Sequence, residues 1–283
     1  MHYGRRYAGA PLRALLPALL SWGVSCTPMA LPTPTSPPPP PPSMTAGPGG
    51  IVVSVSPAIL SAHLARVDDP ELGGADGLLL VFNIEIDAAA LGRGAFVVSR
   101  ATQGPVRPER AIFAPANEND ENRTVLLIGD FGGAAADQGP THVAVSGPLF
   151  AENGAPLQGL GSTVTPFDDP PRVVAAVVLA SAPGRCEGAA RSLRTYWSDE
   201  LRGVEPSDTE RVRIRVGTDE AAHPLRFDDH TTLHQEAGQD NVLDLCLDDA
   251  GAVRRVWVEA GVFRDPAGHA SAAVELRLDD LAP

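Results

Sequence analysis

Arg211-Val212-Arg213-Ile214-Arg215-Val216 changes character at every step, a guanidinium followed each time by a branched apolar side chain. An extended strand sorts such a sequence onto two faces, because its side chains alternate with a period of two. Val212, Ile214 and Val216 then face a core, and Arg211, Arg213 and Arg215 line the other side. Downstream, Val256 and Val258 interleave in the same way with Arg255, Trp257 and Glu259. Upstream, Leu80, Phe82, Ile84 and Ile86 interleave with Val81, Asn83, Glu85 and Asp87, which predicts a strand with one polar face. Turn formers separate these runs: Asp68-Asp69-Pro70, Gly92-Arg93-Gly94, Pro183-Gly184 and Asp265-Pro266-Ala267-Gly268. No long stretch carries a helical period, and only Ala88–Leu91 and Asp199–Leu201 are expected to form single turns. The fold class is all-β.

The chain also repeats itself at a spacing of about 115 residues. Val125-Leu126-Leu127-Ile128-Gly129-Asp130 parallels Val242-Leu243-Asp244-Leu245-Cys246-Leu247, and His142–Phe150 parallels Val256–Phe263 with a one-residue gap near Pro148. Each copy then runs through an acid to a glycine, Glu152–Gly154 and Asp265–Gly268. Leu79–Asp87 matches Ser192–Glu200 further upstream. Two copies of one strand order predict two tandem β-sandwiches, residues 51–168 and 169–283, joined through Phe167-Asp168-Asp169-Pro170-Pro171.

Tyr196-Trp197-Ser198-Asp199-Glu200, followed by Val258–Gly261 and Phe263-Arg264-Asp265-Pro266-Ala267-Gly268, resembles the bacterial Ig-like domains of surface proteins. His269 stands where that pattern carries Asn, and the first copy offers only Glu152-Asn153-Gly154. The resemblance implies Ig-like sandwiches in an extracellular protein and no particular activity. Trp197 shares parity with Leu193 and Thr195 and is expected in the second core.

The N-terminus supplies an address. Arg5 and Arg6, the apolar run Ala14–Leu20 and the small residues before Cys26 make residues 1–25 an export signal, too short in its apolar part for a membrane span. Gly23-Val24-Ser25-Cys26 resembles the lipobox of bacterial lipoproteins, with Gly23 where a large aliphatic residue is usual. The resemblance implies a lipid on Cys26 and a membrane as partner through that lipid. An ordinary secretory cut near Ser25 or Ala30 is the alternative. Residues 26–50, with Pro37–Pro42 at their centre, form a proline-rich linker that favours extended polyproline II. At about 3.1 Å per residue it could hold a domain up to roughly 70 Å from a membrane.

Composition excludes several chemistries. The net charge is −13, and it becomes more negative once Arg5, Arg6 and Arg13 leave with the signal. Such an acidic protein repels phosphate backbones, so nucleic acid is not an expected partner. All 22 basic residues are arginine, which rules out a Schiff-base lysine, a P-loop lysine and a Ser-x-x-Lys site. With Cys26 lipidated, Cys186 and Cys246 remain as one disulfide pair in an oxidising compartment; two reduced, buried thiols are the alternative.

No Gly-x-Ser-x-Gly elbow occurs, and the many acid pairs are adjacent residues that point to opposite faces of a strand. The protein is therefore expected not to be an enzyme. The rival expectation is a metal-dependent envelope enzyme or accessory subunit using the acidic loops or His230 and His234, although Thr231 stands where a zincin needs Glu. Asn117, Asn119, Asp120 and Asn122 crowd oxygen ligands into one segment and are weak calcium candidates; no other cofactor is expected. Asn122-Arg123-Thr124 is also a glycosylation sequon. The sharpest surface expectation is a patch of Arg211, Arg213, Arg215, Arg255 and Trp257. Trp and Arg dominate interface hot spots, and the first copy has Ala144 in place of Trp257, so the fold does not need the aromatic. The expected role is adhesion, structural display or protein binding at the envelope or cell surface.

Overall fold

A computed structural model describes residues 56–66, 75–116, 121–133, 137–179, 186, 189, 191–204, 212–216, 222–224, 226–227, 240–247 and 253–278. The described part is all-β. Its first half runs β1 (Ile59–Arg66), β2 (Asp76–Phe82), β3 (Phe96–Arg100), β4 (Arg110–Phe113), β5 (Thr124–Gly129), β6 (Pro140–Val145) and β7 (Gly161–Thr163). Its second half runs β8 (Val173–Leu179), β9 (Arg191–Leu201), β10 (Val212–Val216), β11 (Ala222–Pro224), β12 (Arg226–Phe227), β13 (Asp240–Leu247), β14 (Val253–Val258) and β15 (Val274–Arg277).

The repeat in the sequence reappears as a repeat of topology. The first half pairs its strands in the orders β1-β2-β5-β4 and β3-β6-β7, and the second in the orders β8-β9-β13-β12 and β11-β10-β14-β15. Apart from the added β11, the two halves share one order, that of a constant-type immunoglobulin sandwich. The matched turns agree in detail. Gly154 and Gly268 both hold positive φ, 81° and 93°, where a side chain would be strained. The amide of each donates to the carbonyl three residues back, Ala151 and Asp265.

Strand parity builds two cores. Ala62 and Leu64 of β1, Leu78, Leu80 and Phe82 of β2, and Val125 and Leu127 of β5 meet Phe96, Val98, Val143 and Val145 from the facing sheet. In the second half Leu193 and Trp197 of β9 and Leu243, Leu245 and Leu247 of β13 meet Val253, Val256 and Val258 of β14. Trp197 is buried as expected: its ring stands edge-on to Phe263 at 5.3 Å, and its Nε1 donates to Thr195 Oγ1 at 3.1 Å.

Two expectations need correction. Ala88–Ala90 does form a single turn, but Asp199–Leu201 completes the eleven-residue strand β9. The run from Leu80 to Asp87 is not one strand with a polar face either. β2 ends at Phe82, and Leu79 and Val81, on the parity assigned to solvent, are fully buried. Val81 belongs to a third cluster with Ala116, Ala175, Tyr196 and Val242. That cluster joins the outer face of sheet β1-β2-β5-β4 to the outer face of sheet β8-β9-β13-β12, so the two halves meet back to back along a buried seam.

Candidate functional site

Val256 and Val258 of β14 are buried in the second core, which by the period of two turns Trp257 outward, where it is 43% exposed. Only Phe150, at 42%, is another exposed large hydrophobic side chain among the described residues. Register sets the surroundings of Trp257. Arg213 of β10 lies directly across from it on one side and Glu275 of β15 on the other. One step along, Arg215, Arg255 and Arg277 stand in a single row across the three strands. Three like charges opposite one another on neighbouring strands disfavour the sheet. Arg255 offsets part of this through an ion pair with Glu275, whereas Arg277 is exposed. At the matching place in the first half, Val97, Ala144 and Gly161 form the row, without an aromatic or a charge. The structure thus brings Arg213, Arg215, Arg255 and Trp257 onto one sheet; Arg211 lies outside the described residues.

The other expected sites fare unevenly. Cys186 and Cys246 form a disulfide. Cys26, Asn117, Asn119, Asp120, His230 and His234 lie outside the described residues. Asn122 is described, and its Nδ2 reaches Glu152 Oε1 at 3.5 Å. Thr124 of the sequon is fully buried, with its hydroxyl taking a hydrogen bond from Asn241 Nδ2 at 3.1 Å. Among the described residues no group of three or more His, Cys, Asp and Glu side chains could hold a metal ion, and no helix is long and apolar enough to cross a membrane.

The seam is the polar feature that strand periodicity did not reveal. Arg194 of β9 is 2% exposed and grips Asp244 of β13 through two bonds of 2.7 Å, Nε to Oδ1 and Nη2 to Oδ2. The same guanidinium reaches across to Glu121 of the first half at 3.3 Å. Burial works against its charge, but the hydrogen bonds to Asp244 and the fields of Asp244 and Glu121 outweigh burial and raise its pKa. Beside it, Arg123 binds Glu85 at 2.6 Å and lies 5.3 Å over the Tyr196 ring. Burial pushes both the Glu85 carboxyl and the Tyr196 hydroxyl upward. At the other end of β9, Asp199 Oδ2 comes within 3.4 Å of His63 Nε2 on β1. Burial lowers the His63 pKa to about 4 and pushes Asp199 up to about 7.

No protein-family model matches the chain, nor does any curated protein. Among solved structures the chain is similar to surface layer protein SbsC, domains 1-6, at 12% identity and a TM-score of 0.30, over 77% of this chain and 34% of that one. It is similar to the S-layer protein rSbsC(31-844) at 10% identity and a TM-score of 0.29, over 79% and 41%. It is also similar to native alpha-2-macroglobulin from Escherichia coli spanning domains MG0-NIE-MG1, at 16% identity and a TM-score of 0.27, over 78% and 71%. The chain thus spans well under half the length of the two surface-layer structures. Strand order and register define the fold as all-β.

Proposed function

We propose that this chain is a non-catalytic protein of the cell envelope or surface, exported, tethered by a lipid on Cys26, and binding an acidic protein partner through the outer face of β10, β14 and β15. The observation that carries the reading is Trp257, an exposed indole set in register among arginines. A large apolar ring left in water on an otherwise charged sheet gains most when a partner covers it. The arginine row gains when an acidic surface relieves its mutual repulsion, which favours a partner of opposite charge. The export signal and the proline-rich linker support a place outside the cytoplasm, at some distance from the membrane.

Full-length protein on intact cells, crosslinked and then purified, tests both parts of the reading. Trp257→Ala and Arg277→Glu should each weaken capture of the partner about thirtyfold, the size of a hot-spot loss, and the wild-type complex should weaken with salt. Unchanged capture by both variants would sink the binding face. Metabolic labelling with a fatty-acid analogue should mark the wild type and leave Cys26→Ser unmarked; equal labelling of the two would remove the anchor.

A further inference from the structure

We infer that the acidic partner of the Trp257 face is a second copy of this chain, which docks there by its own end around Phe150, so that copies join head to tail; this rests on the binding face proposed above. Phe150 and Trp257 are the two exposed large hydrophobic side chains among the described residues, and their surroundings carry opposite charge. Phe150 lies in a stretch whose burial alternates. Leu149 and Ala151 are buried, whereas Pro148, Phe150 and Glu152 are exposed, as a period of two on one side requires. Across an antiparallel bridge from Phe150 stands Pro156, which is exposed as well. Two prolines and a phenyl ring thus form an apolar knob in water.

The rim of the knob is acidic. The Phe150 carbonyl accepts the Asp87 amide at 3.0 Å, and the Glu152 amide donates to the Glu85 carbonyl at 3.0 Å. Glu85 is matched by Arg123, so Asp87 and Glu152 give the rim its net negative charge. Nor does the fold require an aromatic at this place. Counted back from the matched glycines Gly154 and Gly268, the counterpart of Phe150 is Arg264, one place beyond the match by sequence. The bridges agree, Phe150 with Pro156 and Arg264 with Ala270. The residue that then matches Phe263 is Leu149, and both are buried. Each half therefore departs from the shared pattern at one outward position. The first carries a phenylalanine among acids where the second has an arginine, and the second carries a tryptophan among arginines where the first has Ala144.

Charge decides which surfaces can meet. Two Trp257 faces set against each other would bring the row of Arg215, Arg255 and Arg277 to an identical row, and two Phe150 ends would bring acid to acid. Both twofold contacts are repulsive. The contact between unlike surfaces is attractive, because Asp87 and Glu152 relieve the arginine row while the two exposed aromatics cover each other. Each copy then gives one surface and receives with the other, which is the heterologous arrangement that extends into chains or closes into rings.

Sedimentation velocity of the full-length protein over a series of concentrations reads this directly. The wild type should associate, and less so as salt rises. Trp257→Ala should weaken the association about thirtyfold, and so should Phe150→Ala combined with Glu152→Arg. All these side chains are exposed, so the cores stay intact, and the shared N-terminus makes any association through it common to every form. An equimolar mixture of the two variants is the sharpest arm. Each supplies the surface that the other lacks, so the mixture should form a heterodimer and nothing longer. Association lost in Trp257→Ala and untouched by the Phe150 variant would overturn the head-to-tail contact. A wild type that associates no more than the two variants would overturn it too. In that case, capture of a different protein on cells through Trp257 leaves the binding face standing with another occupant, and no capture sinks both.

Discussion

Arg194 shows how one residue can be read in two ways. On an alternating strand a charged residue is normally turned to water, yet here the guanidinium is enclosed between two sheets and held by Asp244 and Glu121. A buried ion pair is poor evidence of net stability, but removing one partner strands the other charge. Asp244→Ala should therefore cost about 3–5 kcal/mol in denaturant unfolding. Replacing Arg194, Asp244 and Glu121 together by apolar residues of similar volume should cost far less, because no charge is then left uncompensated. The sequence discloses Trp257 and hides Arg194 for the same reason. Periodicity says which residues share a face, and only the neighbouring sheet decides whether that face meets water.

At the scale of the element, β9 has two faces with different work. Leu193 and Trp197 pack into the second core, while Arg194 and Tyr196 look into the seam. Trp197→Ala should lose about 3–5 kcal/mol through the cavity it leaves, measured by urea unfolding at fixed pH. The alternation of β14 is plain in the sequence because Val256 and Val258 lie in the core while Trp257 is exposed. β2 was misread because Val81 and Leu79 lie under a second sheet, which makes both faces apolar and erases the contrast. Asp199–Leu201, expected as a single turn, is strand. Pairing of Leu201 with Asp240 instead extends the strand past a bulge. The repeat was legible throughout, since it depends on the spacing of elements and not on which way each face points.

For the whole molecule, the disulfide closes a loop of 60 residues between Cys186 and the central strand β13. The chain-entropy account assigns such a loop about 4 kcal/mol. Reduction, or Cys186→Ser with Cys246→Ser, should lower the unfolding midpoint by a corresponding amount, with the main effect on the second half. Hydrogen exchange by mass spectrometry would locate it: faster exchange confined to β8–β15 is expected, and equal loosening of β1–β7 would contradict it.

The back-to-back seam fixes directions as well as contacts. Each half presents to the other the sheet that carries its first two strands, so its remaining sheet must look outward, away from its twin. Four sheet layers then separate those two outward surfaces, and at about 10 Å between packed sheets they stand roughly 30 Å apart, facing opposite ways. No single flat partner can touch both at once. A ligand on the tryptophan side therefore leaves the opposite side uncovered.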